Sequence, residues 1–245
     1  FGLLCISIVQ LKGQNATAII RKMNENALGN SNTGTMKMTI IRPDWTREMV
    51  MKSWSKGQDY ALILLLSPAR DEGTGFLKRD REIWNWQPSI DRVIKLPPSM
   101  MMQSWMGSDF TNDDLVQQSS VVDDYTHEIK GEETINSHQC YIIELTPKPE
   151  APVVWGKIKL WVEKNHYFEV RAEFYDEDDY LVNIMRGKEI KNIQGRYIPT
   201  KLIVSSEENK DEKTIIEYED LEFDISLTDK FFTLQNMKRL RSNDY

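Results

Sequence analysis

The side chains best suited to acid–base or metal chemistry are scattered along the sequence. The three histidines, His127, His138 and His166, lie on different predicted strands or turns. They show neither of the short spacings that bring two imidazoles to one metal ion. Carboxylates are numerous, but many stand in runs such as residues 176–179, which are typical of turns facing water. No Gly-x-Ser-x-Gly elbow, phosphate-binding loop or dinucleotide fingerprint is present. The sequence therefore predicts neither a metal site nor a cofactor, and it favours a non-enzymatic protein over a hydrolase.

Methionine is the more informative residue type, with eleven among the 245 residues. Met36 and Met38 share one face of a predicted strand, and Met49 and Met51 share one face of the next. Unbranched thioether side chains repack around guests of different shape, so such faces are typical either of a core or of a deformable apolar cavity. We favour the cavity, in which acyl chains would bind by burial of apolar surface alone.

The segment IKLPPSMMMQSWMGSDFTNDDL, residues 94–115, joins three consecutive methionines to an acidic cluster. Thr111 is predicted to cap a short helix, and Asp114 three residues later is predicted to reach back in a capping box. The acidic cluster therefore has a structural explanation. Gly107 is expected to provide the backbone angle at which the loop turns inward. The methionine half follows neither a strand nor a helix period, and we expect it to fold over one end of the sheet.

Most of the chain after residue 30 alternates apolar and polar residues between short turns. In one stretch Ile158, Leu160 and Val162 alternate with Lys157, Lys159 and Trp161, and in the next Phe168, Val170, Ala172 and Phe174 alternate with Tyr167, Glu169, Arg171 and Glu173. Such patterns are typical of antiparallel strands with one dry and one wet face. A helix ended by Gly29 is predicted before them. We predict a mainly β, single-domain, strongly curved antiparallel sheet of roughly eleven strands, either closed or half-open with helices over its mouth.

The charge and the N-terminal residues bear on partners and location. A net charge of −7 argues against nucleic acid or an anionic membrane held by general electrostatics. The apolar run 1–9 fits the end of a secretory signal, with a buried strand or helix as the alternative interpretation. We predict a residual signal peptide over residues 1–15, cleaved near Asn15 or Ala16, and one domain over 16–245. Cys140, predicted to be a buried strand residue, is then the one cysteine, and export without cysteine pairs favours the bacterial periplasm.

Several motifs resemble the outer-membrane lipoprotein-sorting protein family of the LolA-like superfamily. They are Gly73 and Gly75 in a Gly-rich turn, Trp84-Asn85-Trp86-Gln87-Pro88, Leu96-Pro97, Gly107-Ser108-Asp109-Phe110 and Asp114-Leu115, with GRYIPTKLIV and DKFFTLQNMKRL further on. The resemblance implies an unclosed, half-open β-barrel in which a few short helices cover an apolar concave face. It also implies a periplasmic protein that carries lipid or lipidated cargo toward the outer membrane, beside transporters of the resistance-nodulation-division or lipoprotein-releasing type.

We therefore predict a periplasmic carrier or acceptor that binds the acyl chains of lipids or lipoproteins non-covalently. The alternative is an accessory interaction module of such a transporter, without lipid carriage of its own. The expected partners are acyl chains, an inner-membrane transporter and an outer-membrane acceptor, and we expect a monomer that binds no nucleic acid. The residues expected to line the cavity or its lip are Met36, Met38, Ile40, Met49, Met51, Trp84, Trp86, Met100, Met101, Met102, Trp105, Met106, Ile158, Leu160 and Val162.

Overall fold

The computed structural model describes residues 2–116, 120–209 and 211–240. The described chain contains three α-helices and thirteen β-strands. In chain order they are α1 (Gly2–Leu28), β1 (Ser31–Arg42), β2 (Trp45–Lys56), β3 (Tyr60–Ser67), β4 (Gly75–Arg79), β5 (Glu82–Gln87), β6 (Arg92–Leu96), α2 (Asn112–Val116), β7 (Tyr125–Ile135), β8 (His138–Pro147), β9 (Lys157–Glu163), β10 (Glu169–Tyr175), β11 (Leu181–Ile193), β12 (Arg196–Ser206), β13 (Lys213–Phe223) and α3 (Leu234–Arg239). The strands outnumber the predicted count by two.

All thirteen strands form one antiparallel sheet in the order β6-β5-β4-β3-β2-β1-β13-β12-β11-β10-β9-β8-β7. Nearly every strand pairs with its neighbours in sequence, and the first strand also pairs with the last. The outer edges β6 and β7 do not pair with each other, so the sheet stays open there. The predicted mainly β, half-open barrel with few short helices is confirmed. None of the described helices is both long enough and apolar enough to cross a bilayer.

The concave face of the sheet holds the main core. Met36 pairs with Met51 and Met38 with Met49, so the methionine faces of β1 and β2 meet, as alternation predicts. Ile19, Ile20 and other side chains of α1 pack into the same core. The helix ends at Leu28, and Gly29 follows with φ of +62°, which confirms the predicted stop. The predicted boundary between residues 15 and 16 falls inside α1 and stays a prediction.

The convex face carries a second, smaller core beneath α3. Leu62 and Leu64 of β3 point outward into it, while Ile63 and Leu65 point into the main core. Burial on both faces is the reason that β3 reads as a continuous apolar run. Met237 of α3 is fully buried in this outer core.

Strand β10 contains an irregularity that changes which side chains face inward. Between Glu169 and Arg171 the pairing with β9 slips, so that Glu169 opposes Val162 and Arg171 opposes Trp161. Val162 lies in the main core, whereas Trp161 lies in a third cluster on the convex face, and Val170 packs in that outer cluster. The alternation predicted Phe168 and Val170 on the inner face and Tyr167 and Glu169 on the outer one. That prediction is wrong at these four positions, because a bulge inserts one residue and reverses the phase.

Candidate functional site

A cavity of about 740 Å³ lies between α1 and the concave face of the sheet. The C-terminal end of α1, from Met23 to Leu28, forms part of one wall, together with side chains of β1 and β9–β13. The β2–β3 hairpin, the β4–β5 turn and residues 120–124 contribute the other wall. The apolar lining includes Met23, Met36, Ile158, Leu160, Phe174, Met185, Leu202, Val204 and Ile216. This volume is within the range of about 300–1,000 Å³ that is usual for small-molecule sites.

The residues predicted to bind lipid fall into four groups. Met36, Ile158 and Leu160 line the cavity. A second group is buried in the main core without lining it: Met38, Ile40, Met49, Met51, Met101, Trp105 and Val162. Met100 and Met106 are half-buried against that core, and Met102 is 63% exposed. The fourth group consists of Trp84 and Trp86.

Trp84 and Trp86 lie on the convex face rather than at the predicted cavity. Trp84 pairs with Leu77, an outward residue, and Trp86 is buried in the outer core with Met237. The Lys238 ammonium lies 4.3 Å from the centroid of the Trp86 ring. The alternation in β5 is real, but the side chain that points inward is Ile83. The two tryptophans therefore hold α3 against the sheet.

The cavity wall contains residues of β10–β13 that the sequence did not single out as a site. Phe174, Leu202 and Ile216 are the central examples. Their strands carry the same alternation as β1 and β9, so the signal was present in each strand. The alternation could not show that β13, the last strand in the chain, pairs with β1, the first. That pairing places the walls formed by β1 and by β10–β13 side by side under α1.

The methionine loop, residues 97–110, is tied to the rim of the sheet by two arginines. Arg42 of β1 makes two hydrogen bonds of 3.1 Å to the Asp109 carboxylate, and it also donates to the Gly107 carbonyl at 3.0 Å. The Thr214 hydroxyl of β13 donates to Asp109 at 2.6 Å. Arg47 of β2 donates to the Met106 carbonyl at 3.2 Å. Asp109 thus joins β1, β13 and the loop at one end of the sheet.

The loop leads directly into α2 through the predicted capping box. The Asp114 backbone N–H donates to the Thr111 hydroxyl at 3.1 Å, and the Thr111 N–H donates to the Asp114 carboxylate at 2.8 Å. Gly107 has φ of +84°, as its predicted role requires. Trp155 donates its indole N–H to Asp114 at 3.0 Å. Burial nevertheless raises the pKa of Asp114. The capping box is confirmed, and this carboxylate is engaged in structure.

Polar contacts fasten α1 over the cavity. The Thr17 hydroxyl lies 3.0 Å from His127 Nδ1 of β7. Near the other end, Asn26 donates to the Tyr197 carbonyl at 3.1 Å, and Arg196 donates to the Glu25 carbonyl at 2.9 Å. The underside of the helix between these contacts is apolar, and Ile19, Ile20 and Met23 are buried there in the main core. Among the described residues no backbone pairing joins α1 to the sheet, so its attachment consists of these side-chain contacts.

The charges in the cavity lining are unevenly distributed. Aspartates gather in the wall formed by the β2–β3 hairpin, the β4–β5 turn and residues 109–115 and 120–124, where Lys78 and Arg81 are the basic lining residues. Burial lowers the pKa of Lys78, which donates to the Gln58 carbonyl at 2.5 Å. The opposite wall, from α1 and β9–β13, contains one charged lining residue among those described, Glu169. Burial raises the pKa of Glu169 to about 7.

The residues with metal-binding or nucleophilic side chains do not gather into a metal site in the part of the chain that the structure describes. Within residues 2–116, 120–209 and 211–240 no group of three or more His, Cys, Asp or Glu side chains is placed to hold a metal ion. Cys140 is a buried free thiol on β8, as predicted. Burial raises its pKa to about 11, which disfavours the reactive thiolate.

Comparisons with known proteins agree with this geometry. A family model described as "Uncharacterized protein" matches residues 57–239. Among solved structures, a DUF1329 family protein from Desulfovibrio piger is 26% identical, with a TM-score of 0.84 over 92% of this chain and 99% of that one. A LolA superfamily protein from Nitrosomonas europaea is 25% identical, with a TM-score of 0.78 over 90% of this chain and 98% of that one.

A third similar structure is a putative outer membrane lipoprotein-sorting protein domain from Vibrio parahaemolyticus. It is 20% identical, with a TM-score of 0.83 over 93% of this chain and 100% of that one, and so it shows a shared fold. No curated protein matches the chain. The matched family model, the similar structures and the open thirteen-stranded sheet agree with the resemblance found in the sequence: the chain belongs to the DUF1329/LolA superfamily.

Proposed function

We propose that the protein is a periplasmic carrier or acceptor that binds the acyl chains of a lipid or lipoprotein in the cavity under α1, for transfer toward the outer membrane. The observation that carries the proposal is the cavity itself, about 740 Å³ with apolar side chains from α1 and five successive strands in its wall. A globular core of this size would normally be filled, because empty apolar volume is destabilising.

The energetics suit acyl chains. Burial of each methylene contributes about 0.8 kcal/mol, which corresponds to roughly a fourfold gain in affinity. Met23, Met36 and Met185 lie in the wall, and their unbranched side chains can adapt to chains of different length. Binding of this kind requires no catalytic residue, and we propose that the protein is not an enzyme.

We propose that acyl chains enter the cavity when α1 moves away from the sheet. The contacts of Thr17, Asn26 and Glu25 with the sheet are hydrogen bonds at the helix surface, which water can replace. When the helix lifts, a ligand that fills the cavity packs against the apolar side chains that the helix had covered. Met102, 63% exposed at the rim of the sheet, is a large apolar side chain of the methionine loop that a lipid surface can contact.

The proposal is tested by binding of a fluorescent fatty-acid series of increasing length. We expect affinity to rise with chain length until the cavity is filled. Leu202→Trp should weaken binding at least tenfold by filling the cavity, because Leu202 lines it. Leu234→Trp is the matched control, since Leu234 lies on α3, outside the cavity lining, and is 37% exposed.

Two results would overturn the proposal. One is a native mass spectrum of the protein purified from membrane-containing lysate that shows no bound lipid, together with no binding of the fluorescent series. The other is equal binding by the wild type and Leu202→Trp, when circular dichroism shows that both proteins are folded.

A further inference from the structure

Glu169 is turned into the cavity by the bulge in β10. Without the slip between Glu169 and Arg171, alternation would place Val170 inside and the carboxylate in water. The observed pairing sets Glu169 opposite Val162, a residue of the main core, and sends Val170 to the convex face. For a cavity that only dissolves acyl chains, the valine would be the more stable choice.

The half-buried Glu169 carboxyl lines the cavity without a protein partner among the described residues. It accepts no hydrogen bond and forms no ion pair there, so its oxygens are left to water or to a ligand in the cavity. Two basic side chains of adjoining segments, Lys22 on α1 and Lys164 in the turn between β9 and β10, have other partners: Lys22 lies 4.7 Å from the Tyr167 ring, and Lys164 pairs with Glu132 at 2.5 Å. Burial is the sole cause of its raised pKa, so no neighbouring charge compensates it.

The other residues of the cavity lining also disfavour a negatively charged head group. The lining side chains of α1, from Met23 to Leu28, are uncharged, and those of β9 and β11–β13 are apolar or neutral polar. The opposite wall is rich in aspartates, including Asp59, Asp80 and Asp123, with Lys78 and Arg81 as its basic residues. The cavity lining therefore contains more carboxylates than basic groups. This excess disfavours an anionic head group, whereas a head group that donates hydrogen bonds can use the Glu169 carboxyl as its acceptor.

We propose that Glu169 is a specificity-determining residue, and that the cavity selects amphiphiles whose polar head donates hydrogen bonds, as an ammonium, amide or hydroxyl does, over amphiphiles with a carboxylate head. This inference rests on the function proposed above and names the class of ligand. A donor head would satisfy the carboxyl that the protein leaves unpaired inside the cavity, while the acyl chain occupies the apolar part.

The test compares three twelve-carbon amphiphiles at pH 8: dodecylamine, dodecanol and dodecanoic acid. Each competes with an uncharged fluorescent acyl probe for the wild-type protein. We expect dodecylamine and dodecanol to bind at least about tenfold more tightly than dodecanoate, the size of effect expected for a charge-assisted hydrogen bond. Glu169→Gln should reduce the preference for dodecylamine over dodecanoate by about tenfold or more.

Glu177→Gln is the matched control, because Glu177 is exposed in the turn after β10 and does not line the cavity. It should keep the wild-type preference. Equal head preference in the wild type and Glu169→Gln, or dodecanoate binding as tightly as dodecylamine, would overturn the inference and leave acyl binding intact. Failure of all three amphiphiles and of the probe to bind would instead overturn the proposed function, and the inference with it.

Discussion

Replacing Glu169 by glutamine should stabilise the protein at alkaline pH and have little effect in acid. Burial raises the pKa of Glu169 from its ordinary value of 4.5 to about 7. The folded state then holds a proton that the unfolded state has released, so stability falls as the pH rises from about 4.5 to 7. The gap of roughly 2.5 pKa units corresponds to about 3 kcal/mol at pH 8 and to less than about 1 kcal/mol at pH 5. Glutamine has no proton to lose, so the variant escapes this penalty.

The assay is urea denaturation of the wild type and Glu169→Gln at pH 5 and pH 8. The quantity compared is the difference in unfolding free energy between the two proteins, in which the titration of all other groups cancels. Glu177→Gln, at an exposed site, should show no such difference at either pH. A Glu169→Gln difference that is the same at both pH values would refute the argument, because the carboxyl would then not titrate abnormally in the folded state.

Three further predictions concern the loop, the sheet and the thiol. Asp109→Ala should lower the unfolding free energy by about 1.5–3 kcal/mol, because it removes the two hydrogen bonds from Arg42 and the one from Thr214, while Glu212 at 3.4 Å stays as a carboxylate partner of Arg42; retention of the wild-type urea midpoint would contradict this. Gly187→Ala should destabilise by about 1–3 kcal/mol, since its Cβ would lie 2.7 Å from a backbone oxygen of β10. Gly131→Ala, with no atom within 4 Å of the added carbon, is its control, and equal melting temperatures would refute the argument. Cys140 should resist a thiol reagent at pH 8 until the protein unfolds, because burial raises its pKa to about 11; peptide mapping of the native protein after labelling would reveal the opposite.

Interactions between residues close in the chain were readable from the sequence. The capping box of Thr111 and Asp114 spans three residues, and Gly29 ends α1 by its own backbone freedom. The alternation of Met36 and Met38 likewise required only the period of a strand. Each of these predictions depends on local geometry, which a short stretch of chain determines almost alone.

The tertiary structure decided which face of each strand meets which core. Alternation in β5 marks two faces, but only the packing of α3 on the convex side shows that Trp84 and Trp86 belong there. The place of Glu169 depends on a slip between β9 and β10, and such a slip is set by partners on another strand.

The sequence by itself therefore determined the class of the fold, the end of the first helix, the capped start of the second and the family to which the chain belongs. The structure alone decided the pairing of β1 with β13, the position and lining of the cavity beneath α1 and the inward carboxylate of Glu169. The physical reason is range: periodicity and caps act over a few residues, whereas a cavity wall is assembled from strands that lie far apart in the chain.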